Sequence, residues 1–305
     1  MTEAKVRHVP VLLEETMDFL HVRPGGTYVD CTLGLGGHAE AILRRLGPSG
    51  QLVGLDRDAE AMALAKGRLE RIRSELGAGA GQVTFVNEAF STIARHIAPA
   101  SADGILADFG VSSLQFEGAH RGFSFQADGP LDMRMDTRSG PTAEQVVNEA
   151  SERELADLIY ELGEERRSRT VARAIVRGRP ISTTRQLARI VASVVPPMKN
   201  SPIHPATRTF QALRIYVNRE LHEIRALFEA APKLLKPSGR LVVISFHSLE
   251  DRIAKDSLRE GAKNGIWNIL TKKPVTAGEE EIDRNPRSRS AKLRAGERQE
   301  TENRD

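Results

Sequence analysis

From Val11 to Asp108, short apolar runs alternate with longer stretches whose apolar side chains recur every three or four positions. Val11 to Leu20 places Leu13, Met17 and Leu20 on one face and predicts a helix. Thr27 to Cys31 reads as a strand running into a glycine-rich turn, and Ala39 to Leu46 continues as helix until Gly47-Pro48 stops it. Leu52 to Leu55 predicts a second strand, closed by Asp56, and Ala59 to Leu76 a long helix. Val83 to Val86 and Gly104 to Ala107 predict two more strands, the last ending at Asp108. Strands alternating with helices call for a parallel sheet with right-handed crossovers, an α/β fold.

Beyond Ser112 the pattern changes, and no buried strand is evident before Pro205. Ser151-x-x-Glu154 is a capping box ahead of Leu155, Leu158, Ile159 and Leu162, which share one helical face. Thr183-x-x-Gln186 starts another helix, which Pro196-Pro197 ends. Residues 113–205 therefore read as a helical domain inserted into an α/β domain made of residues 1–112 and 206–305. After the insert, Phe210, Leu213, Val217, Leu221, Ile224 and Phe228 form the stripe of one long helix. Lys236 to Gly239 is a turn and Arg240 to Ser245 a strand. Ile269 to Val275 and Ser290 to Ala295 are candidates for the last two strands, joined by an acidic loop.

Composition narrows the class without changing this picture. The 305 residues suit two domains, and 40% hydrophobic with 28% charged residues is globular composition. No apolar run approaches the roughly 20 residues that span a bilayer, and Met1 to Pro10 lacks a secretory core. The single cysteine, Cys31, fits a reducing compartment, so a cytoplasmic location is expected. Net charge is only +3, yet eight arginines lie between Glu164 and Arg189, and basic residues outnumber acidic ones from Arg284 to Asp305. Such clusters suit phosphate contacts, and a solvated helix face explains any one of them equally well.

The segment with chemical content is Tyr28-Val29-Asp30-Cys31-Thr32-Leu33-Gly34-Leu35-Gly36-Gly37-His38, a strand feeding glycines that open a helix. Glycines let the chain turn tightly and let a ligand approach the main chain. Asp56, at the end of the next strand, can accept both hydrogen bonds of a ribose diol. A pyrophosphate cofactor would favour Gly-x-Gly-x-x-Gly, whereas here Asp30 precedes Gly34-x-Gly36-Gly37. An acid at that position suits the cationic amino acid part of S-adenosylmethionine and favours a methyl donor over a dinucleotide. A nicotinamide oxidoreductase remains the competing reading, separable by which cofactor raises the melting temperature.

Taken together, several ordered motifs resemble one family. They are Gly34 to His38, Asp108 to Ser113, Arg121 to Phe125, Asp128 to Met135, His204 to Ala212, Ser245 to Arg252 and Asn285 to Ser290. The chain resembles, from His8 to about Arg298, the bacterial methyltransferases that modify the N4 amine of a cytidine in small-subunit ribosomal RNA. The resemblance implies a Rossmann-like S-adenosylmethionine-dependent methyltransferase sheet with an inserted helical domain facing RNA. It implies 16S ribosomal RNA in the small ribosomal subunit, near the decoding region, as substrate. It further implies cofactor contacts at Gly36, Gly37, His38, Asp56, Phe90, Asp108 and Gln115. Read without it, Phe90 stacks on adenine or packs in the core, Gln115 is a surface glutamine and His38 caps its helix.

Methyl transfer from a sulfonium needs no metal, and the scattered histidines with no Cys/His cluster indicate no metal site. Methylation at cytosine carbon-5 usually uses a cysteine adduct, but Cys31 lies in the first strand, away from the expected acceptor, so carbon-5 chemistry is disfavoured. Asp108 is the leading catalytic candidate, holding the donor or polarising the amine. Phe109-Gly110-Val111 follows it, where many amino-methyltransferases carry Pro-Pro-aromatic, so the acceptor assignment rests on the resemblance. Thr207, Gln211, Arg214 and Asn218 share a side of the long helix and are candidate RNA contacts. Phe123 and Phe125 are candidates for stacking on a displaced base or for packing between the two domains. Ser245, His247 and Asp251 lack a nucleophile elbow and read as a wall of the cleft, and Arg287 and Arg289 as phosphate contacts. A catalytically silent ribosome-assembly factor and an amino-methyltransferase acting on DNA remain alternatives, and a homodimer stays open.

Overall fold

The computed structural model describes residues 10–197 and 204–300, so His8 and the charged residues Glu302, Arg304 and Asp305 lie outside the described residues. The chain forms two compact units: residues 1–110 with 221–305, and residues 111–220.

The first unit begins with α1 (Leu13–Leu20), β1 (Thr27–Asp30), α2 (Gly37–Leu46), β2 (Gln51–Leu55), α3 (Ala59–Leu76), β3 (Gln82–Val86) and β4 (Ala102–Asp108). In the second unit follow α4 (Ser113–Glu117), α5 (Ala143–Glu149), α6 (Glu152–Gly163), α7 (Ser168–Arg177), α8 (Thr184–Val194) and α9 (Thr207–Asn218). The chain ends with α10 (Glu220–Leu234), β5 (Leu235–Ser245), α11 (Ser248–Lys263), β6 (Trp267–Ile269), α12 (Glu279–Arg284) and β7 (Lys292–Arg298).

The seven strands form one sheet in the order β3-β2-β1-β4-β5-β7-β6. Strands β1 to β5 run parallel, and β7 lies antiparallel between β5 and β6. Alternate residues of the central strands enter opposite cores. Tyr28, Leu106, Val242 and Ile244 join a cluster with α1, α2 and α3, while Val29, Ile105, Leu241 and Val243 join one with α10 and α11. A period of two with both faces covered is what a buried parallel sheet requires. The α/β expectation holds: this is a Rossmann-like sheet whose strand order reverses between β1 and β4. Ligands in such sheets bind beyond the carboxyl ends of the strands at that reversal.

Two local expectations change. The predicted turn at Lys236–Gly239 interrupts β5 rather than preceding it. Leu235 pairs with Ala102 and Arg240 with Gly104, so the intervening residues loop out while the ladder continues. The single long helix after the insert is two helices, because Arg219 adopts a left-handed conformation, φ 51°, between α9 and α10. No glycine or proline marks this break.

The second unit is helical, with its own core of Leu155, Ile159, Val171, Ile175, Leu187 and Val191 among others. Its only bridge among the described residues is an isolated one, Pro130 with Thr183. The capping box at Ser151 forms, and the Thr183 side chain accepts from the Gln186 N–H. α9 buries Phe210, Ala212 and Leu213 in this core, which is why the unit runs to Glu220 rather than ending before residue 206. Asn218, 5% exposed, acts as a clamp. Its Oδ1 accepts from the Met135 N–H at 2.7 Å, and its Nδ2 donates to the carbonyls of Met133 at 2.7 Å and Arg214 at 2.9 Å. Replacing a buried side chain of this kind strands its partners without water. Asn218→Ala should destabilise the helical unit by about 2–3 kcal/mol in urea denaturation; a change below about 0.5 kcal/mol, the scale of ordinary surface substitutions, contradicts the clamp.

Candidate active site

Three carboxyl groups meet at the carboxyl edge of the sheet, where its strand order reverses. Asp30 is the last residue of β1, Asp56 follows β2, and Asp108 is the last residue of β4. The loop from Thr32 to Gly36 follows Asp30 and is hydrogen-bonded to all three residues. The Gly34 N–H donates to Asp56 Oδ2 at 2.7 Å, and Asp56 Oδ1 accepts from the Asp58 N–H at 2.9 Å. The Thr32 N–H donates to Asp30 Oδ1 at 3.1 Å, and Thr32 Oγ1 accepts the Asp108 N–H at 2.6 Å. Gly36 caps α2 at φ 75°, a left-handed geometry suited to glycine. A Cβ on Gly37 would meet Pro10 Cγ at 2.5 Å, so this position has no room for a side chain.

Burial and like charge set the protonation of the three acids. Burial raises Asp30 to about 7, opposed by the Thr32 N–H and reinforced by the Asp56 charge. Burial also raises Asp56 to about 6, opposed by its two N–H donors. Burial, then Asp30 and Glu250, push Asp108 well above the usual carboxylate range. Asp108 Oδ1 is buried with no hydrogen-bond partner among the described residues. His38, 6% exposed at the start of α2, places Nδ1 3.9 Å from Asp108 Oδ2 and Nε2 2.9 Å from the Val11 carbonyl oxygen.

Of the residues singled out in the sequence, Gly36, Gly37, His38, Asp56 and Asp108 converge here with Asp30. Phe90, 7% exposed, opens the turn after β3 and pairs with the ring of Phe109, the residue after Asp108, at 6.1 Å between centroids. Gln115 lies in the helical unit, where its Oε1 accepts the Ser112 N–H in a capping box that starts α4. Thr32 and Glu250 were not singled out from sequence, yet one ties the loop to β4 and the other bears on Asp108. The only signal for Thr32 was its place between a strand-end acid and the glycines.

Other side chains singled out in the sequence find partners within their own units. Arg214 forms a paired ion contact with Glu220 at 2.8 and 2.9 Å, Gln211 donates to the Leu162 carbonyl at 3.2 Å, and Asn218 is the clamp described above. Asn218 is buried, Gln211 and Arg214 are half-buried against these partners, and Thr207 is exposed. Phe123 is buried in that unit's core, and Phe125 packs edge-on against Phe210 at 4.8 Å and against His204 at 4.6 Å, so these rings hold the unit together from within. Ser245 Oγ donates to the Lys292 carbonyl at 3.3 Å, while Asp251 binds Arg294 at 2.6 Å and Lys292 at 3.5 Å. As the missing nucleophile elbow implied, the triplet forms no triad, and Asp251 ties α11 to β7. Cys31 is buried, and burial followed by the Asp30 charge pushes its thiol well up, which leaves it unreactive.

A Rossmann-like sheet whose glycine loop and strand-end acids gather at the reversal defines a nucleoside-cofactor-dependent transferase site. The chain belongs to the MraW methylase family, whose family model matches residues 5–299. It is 67% identical over 292 residues to a protein of Acidobacterium capsulatum named ribosomal RNA small subunit methyltransferase H, covering 96% of this chain and 98% of that one. Proteins of the same name from Koribacter versatilis and Sorangium cellulosum are 59% identical over 293 residues and 51% identical over 298. Those alignments cover 95% and 96% of this chain, and 94% and 91% of the relatives.

The raised acids give a pH signature to the ligand-free protein. A carboxyl whose folded pKa lies above its unfolded value near 3.8 stabilises the fold below that value and loses the contribution as pH rises through the folded pKa. The melting temperature without ligand should therefore fall between about pH 4 and pH 7, and Asp30→Asn should flatten that slope. An unchanged slope in the variant would show that Asp30 is not held in its protonated form.

Proposed function

We propose that this chain transfers a methyl group from S-adenosylmethionine to the exocyclic N4 amine of a cytidine in 16S ribosomal RNA of the small subunit, near the decoding region. Family membership supports the reaction class, and the names of the relatives support the substrate. The observation that carries the site is the buried, unpartnered Asp108 Oδ1 among three carboxyls.

The residues present fit the donor. Asp30 and Asp108 offer negative charge to a cation, and a bound cation favours their ionised forms. Asp56 retains acceptor capacity for a ribose diol beyond its two N–H contacts. The Gly36-Gly37 main chain at the start of α2 suits a carboxylate, Phe90 suits the adenine face, and Gln115 and His38 complete the proposed set. When bound, S-adenosylmethionine supplies a methyl carbon activated by a sulfonium, which departs as a neutral thioether.

An exocyclic amine is a weak nucleophile because its lone pair is delocalised into the ring. Asp108 Oδ1 accepts a hydrogen bond from the amine N–H and so concentrates charge on nitrogen. As the nitrogen gains a carbon it must shed a proton, and the Asp108 carboxylate takes it. The buried, protonated Cys31 gives no support to a carbon-5 adduct.

The helical unit contributes phosphate contacts. Arg169, Arg173 and Arg177 recur every fourth position along α7, Arg185 and Arg189 do so along α8, and all five are exposed. Arg173 pairs with Glu152 at 3.4 Å. With a substrate found in assembled or assembling small subunits, the working location is the cytoplasm.

Two measurements test this reading. Unmodified small subunits are supplied with labelled donor, and the label is mapped by mass spectrometry to a cytidine N4; label on a ring carbon, on DNA alone, or nowhere contradicts it. In the same assay Asp108→Asn should lower kcat by about 10²-fold or more, while Asp56→Ala should weaken donor binding by about tenfold or more. Separately, Arg169, Arg177 and Arg185 changed together to Gln should weaken RNA binding and lower its salt slope by about 2–3, leaving donor affinity unchanged. An unaltered salt slope would remove these arginines from the interface.

A further inference from the structure

The carboxyl edge contains a contradiction that the proposed reaction must resolve. Asp108 has to be ionised to take a proton, yet its surroundings favour the protonated acid. The titratable groups that face it are Asp30 from β1, Glu250 from α11 and His38 from α2. The first two are acids and oppose its ionisation. His38 is the one base among them.

The orientation of His38 is fixed by chemistry. A carbonyl oxygen only accepts, so the Nε2 that lies 2.9 Å from the Val11 oxygen is the protonated ring nitrogen. In the neutral ring the other nitrogen, Nδ1, then carries the lone pair, and it is the one turned toward Asp108 Oδ2 at 3.9 Å. A side-chain movement of about 1 Å brings the two to hydrogen-bond length. The two oxygens of Asp108 then have separate roles, Oδ2 toward the imidazole and Oδ1, buried and unpartnered, toward a ligand.

We infer that His38 and Asp108 share one proton as a pair, with His38 Nδ1 holding the proton that Asp108 would otherwise carry, so that Asp108 Oδ1 meets the amine as a carboxylate. His38 is thus a positioning residue that acts through Asp108. The proton already shared leaves Asp108 Oδ2 for His38 Nδ1, giving carboxylate and imidazolium; the amine proton then passes to Asp108 Oδ1. Release of one proton to solvent after the turnover restores the starting pair. The two groups titrate as a unit rather than singly. This inference rests on the proposed reading of Asp108 as proton acceptor.

The experiment combines a conservative substitution with a readout that needs no turnover. Gln at position 38 can keep a donor toward the Val11 carbonyl but offers no base toward Asp108. His38→Gln should lower single-turnover methylation of small subunits at pH 7 by tenfold or more and move the acid limb of the rate profile to higher pH. Because His38 also belongs to the proposed donor set, rates are compared at saturating donor, so that the loss reports the pair and not donor binding. Adding His38→Gln to Asp108→Asn should lower the rate no further, because removing either member removes the pair. A purely structural histidine predicts instead that Gln restores both rate and profile, or that the two losses multiply, and either result overturns the inference. In the ligand-free protein, 15N-histidine spectra, with His38 assigned by its loss in His38→Gln, should show Nδ1 unprotonated in the neutral ring and a lower apparent pKa in Asp108→Asn. An unchanged His38 titration overturns the pairing even if the wild-type protein methylates RNA. Absence of methylation by the wild type, with the spectra as expected, counts against the proposed reaction and leaves the pair standing.

Discussion

Like charges crowded at one low-dielectric edge govern this protein. The register of the sheet makes the crowding unavoidable: Asp30 pairs across to Gly54 on β2 and to Leu106 on β4, so the acids that end β1 and β4 and follow β2 emerge side by side. In water, three carboxylates would ionise independently. Here burial raises all three, and their order follows the N–H donors each side chain receives. Asp56 has two such donors and rises to about 6; Asp30 has one and rises to about 7; the Asp108 side chain has none among the described residues and is pushed well above the usual carboxylate range. Backbone hydrogen bonds to a carboxylate favour its charged form, so the N–H donors of Thr32, Gly34 and Asp58 grade the acidity of the edge. A cation arriving there replaces mutual repulsion with attraction, which is why a positively charged cofactor suits this edge better than a pyrophosphate.

Much of this frame was legible in the chain because it depends on local patterns. Alternation along Tyr28-Val29 and Leu241 to Ile244 follows from a sheet covered on both faces, and the caps at Ser151 and Thr183 depend on residues three apart. What was not legible depends on distant partners. The break at Arg219 carries no glycine or proline, and the Asn218 side chain beside it is engaged by Met133 and Met135 far upstream. Arg214 and Gln211 carry the polarity of a solvated face and find Glu220 and Leu162 instead. Thr32 and Glu250 matter only because folding brings them to Asp108. Periodicity reports the side of an element on which a residue lies and is silent on what waits there.

The same distinction sorts the arginines, whose number alone said little at a net charge of +3. Arg121 donates to the carbonyls of Arg134 and Met135, Arg179 to those of Val147 and Ala150, and Arg294 pairs with Asp251. These guanidinium groups satisfy buried carbonyls and acids, a task for which five fixed donors are suited. The arginines of α7 and α8 instead recur every fourth residue on exposed faces, where Arg173 pairs with Glu152 and Arg185 lies near Asp128. The phosphate recognition proposed for this chain therefore rests on a subset that the structure, not the composition, separates.

The acid edge is costly to the fold that carries it. Asn at position 30 or 108 would relieve the repulsion and stabilise the ligand-free protein, at the loss of the charge that a cation requires. Such a site persists only where the surrounding structure is strong enough to hold it. That strength is visible on both sides of the strand ends: apolar clusters pack each face of β1 and β4 immediately behind the acids, with Val29, Ile105, Leu106 and Ala107 fully buried. The core therefore does more than fold the chain. It excludes water from behind Asp30 and Asp108, raises their affinity for protons, and by the same physics makes their response to a bound cation large.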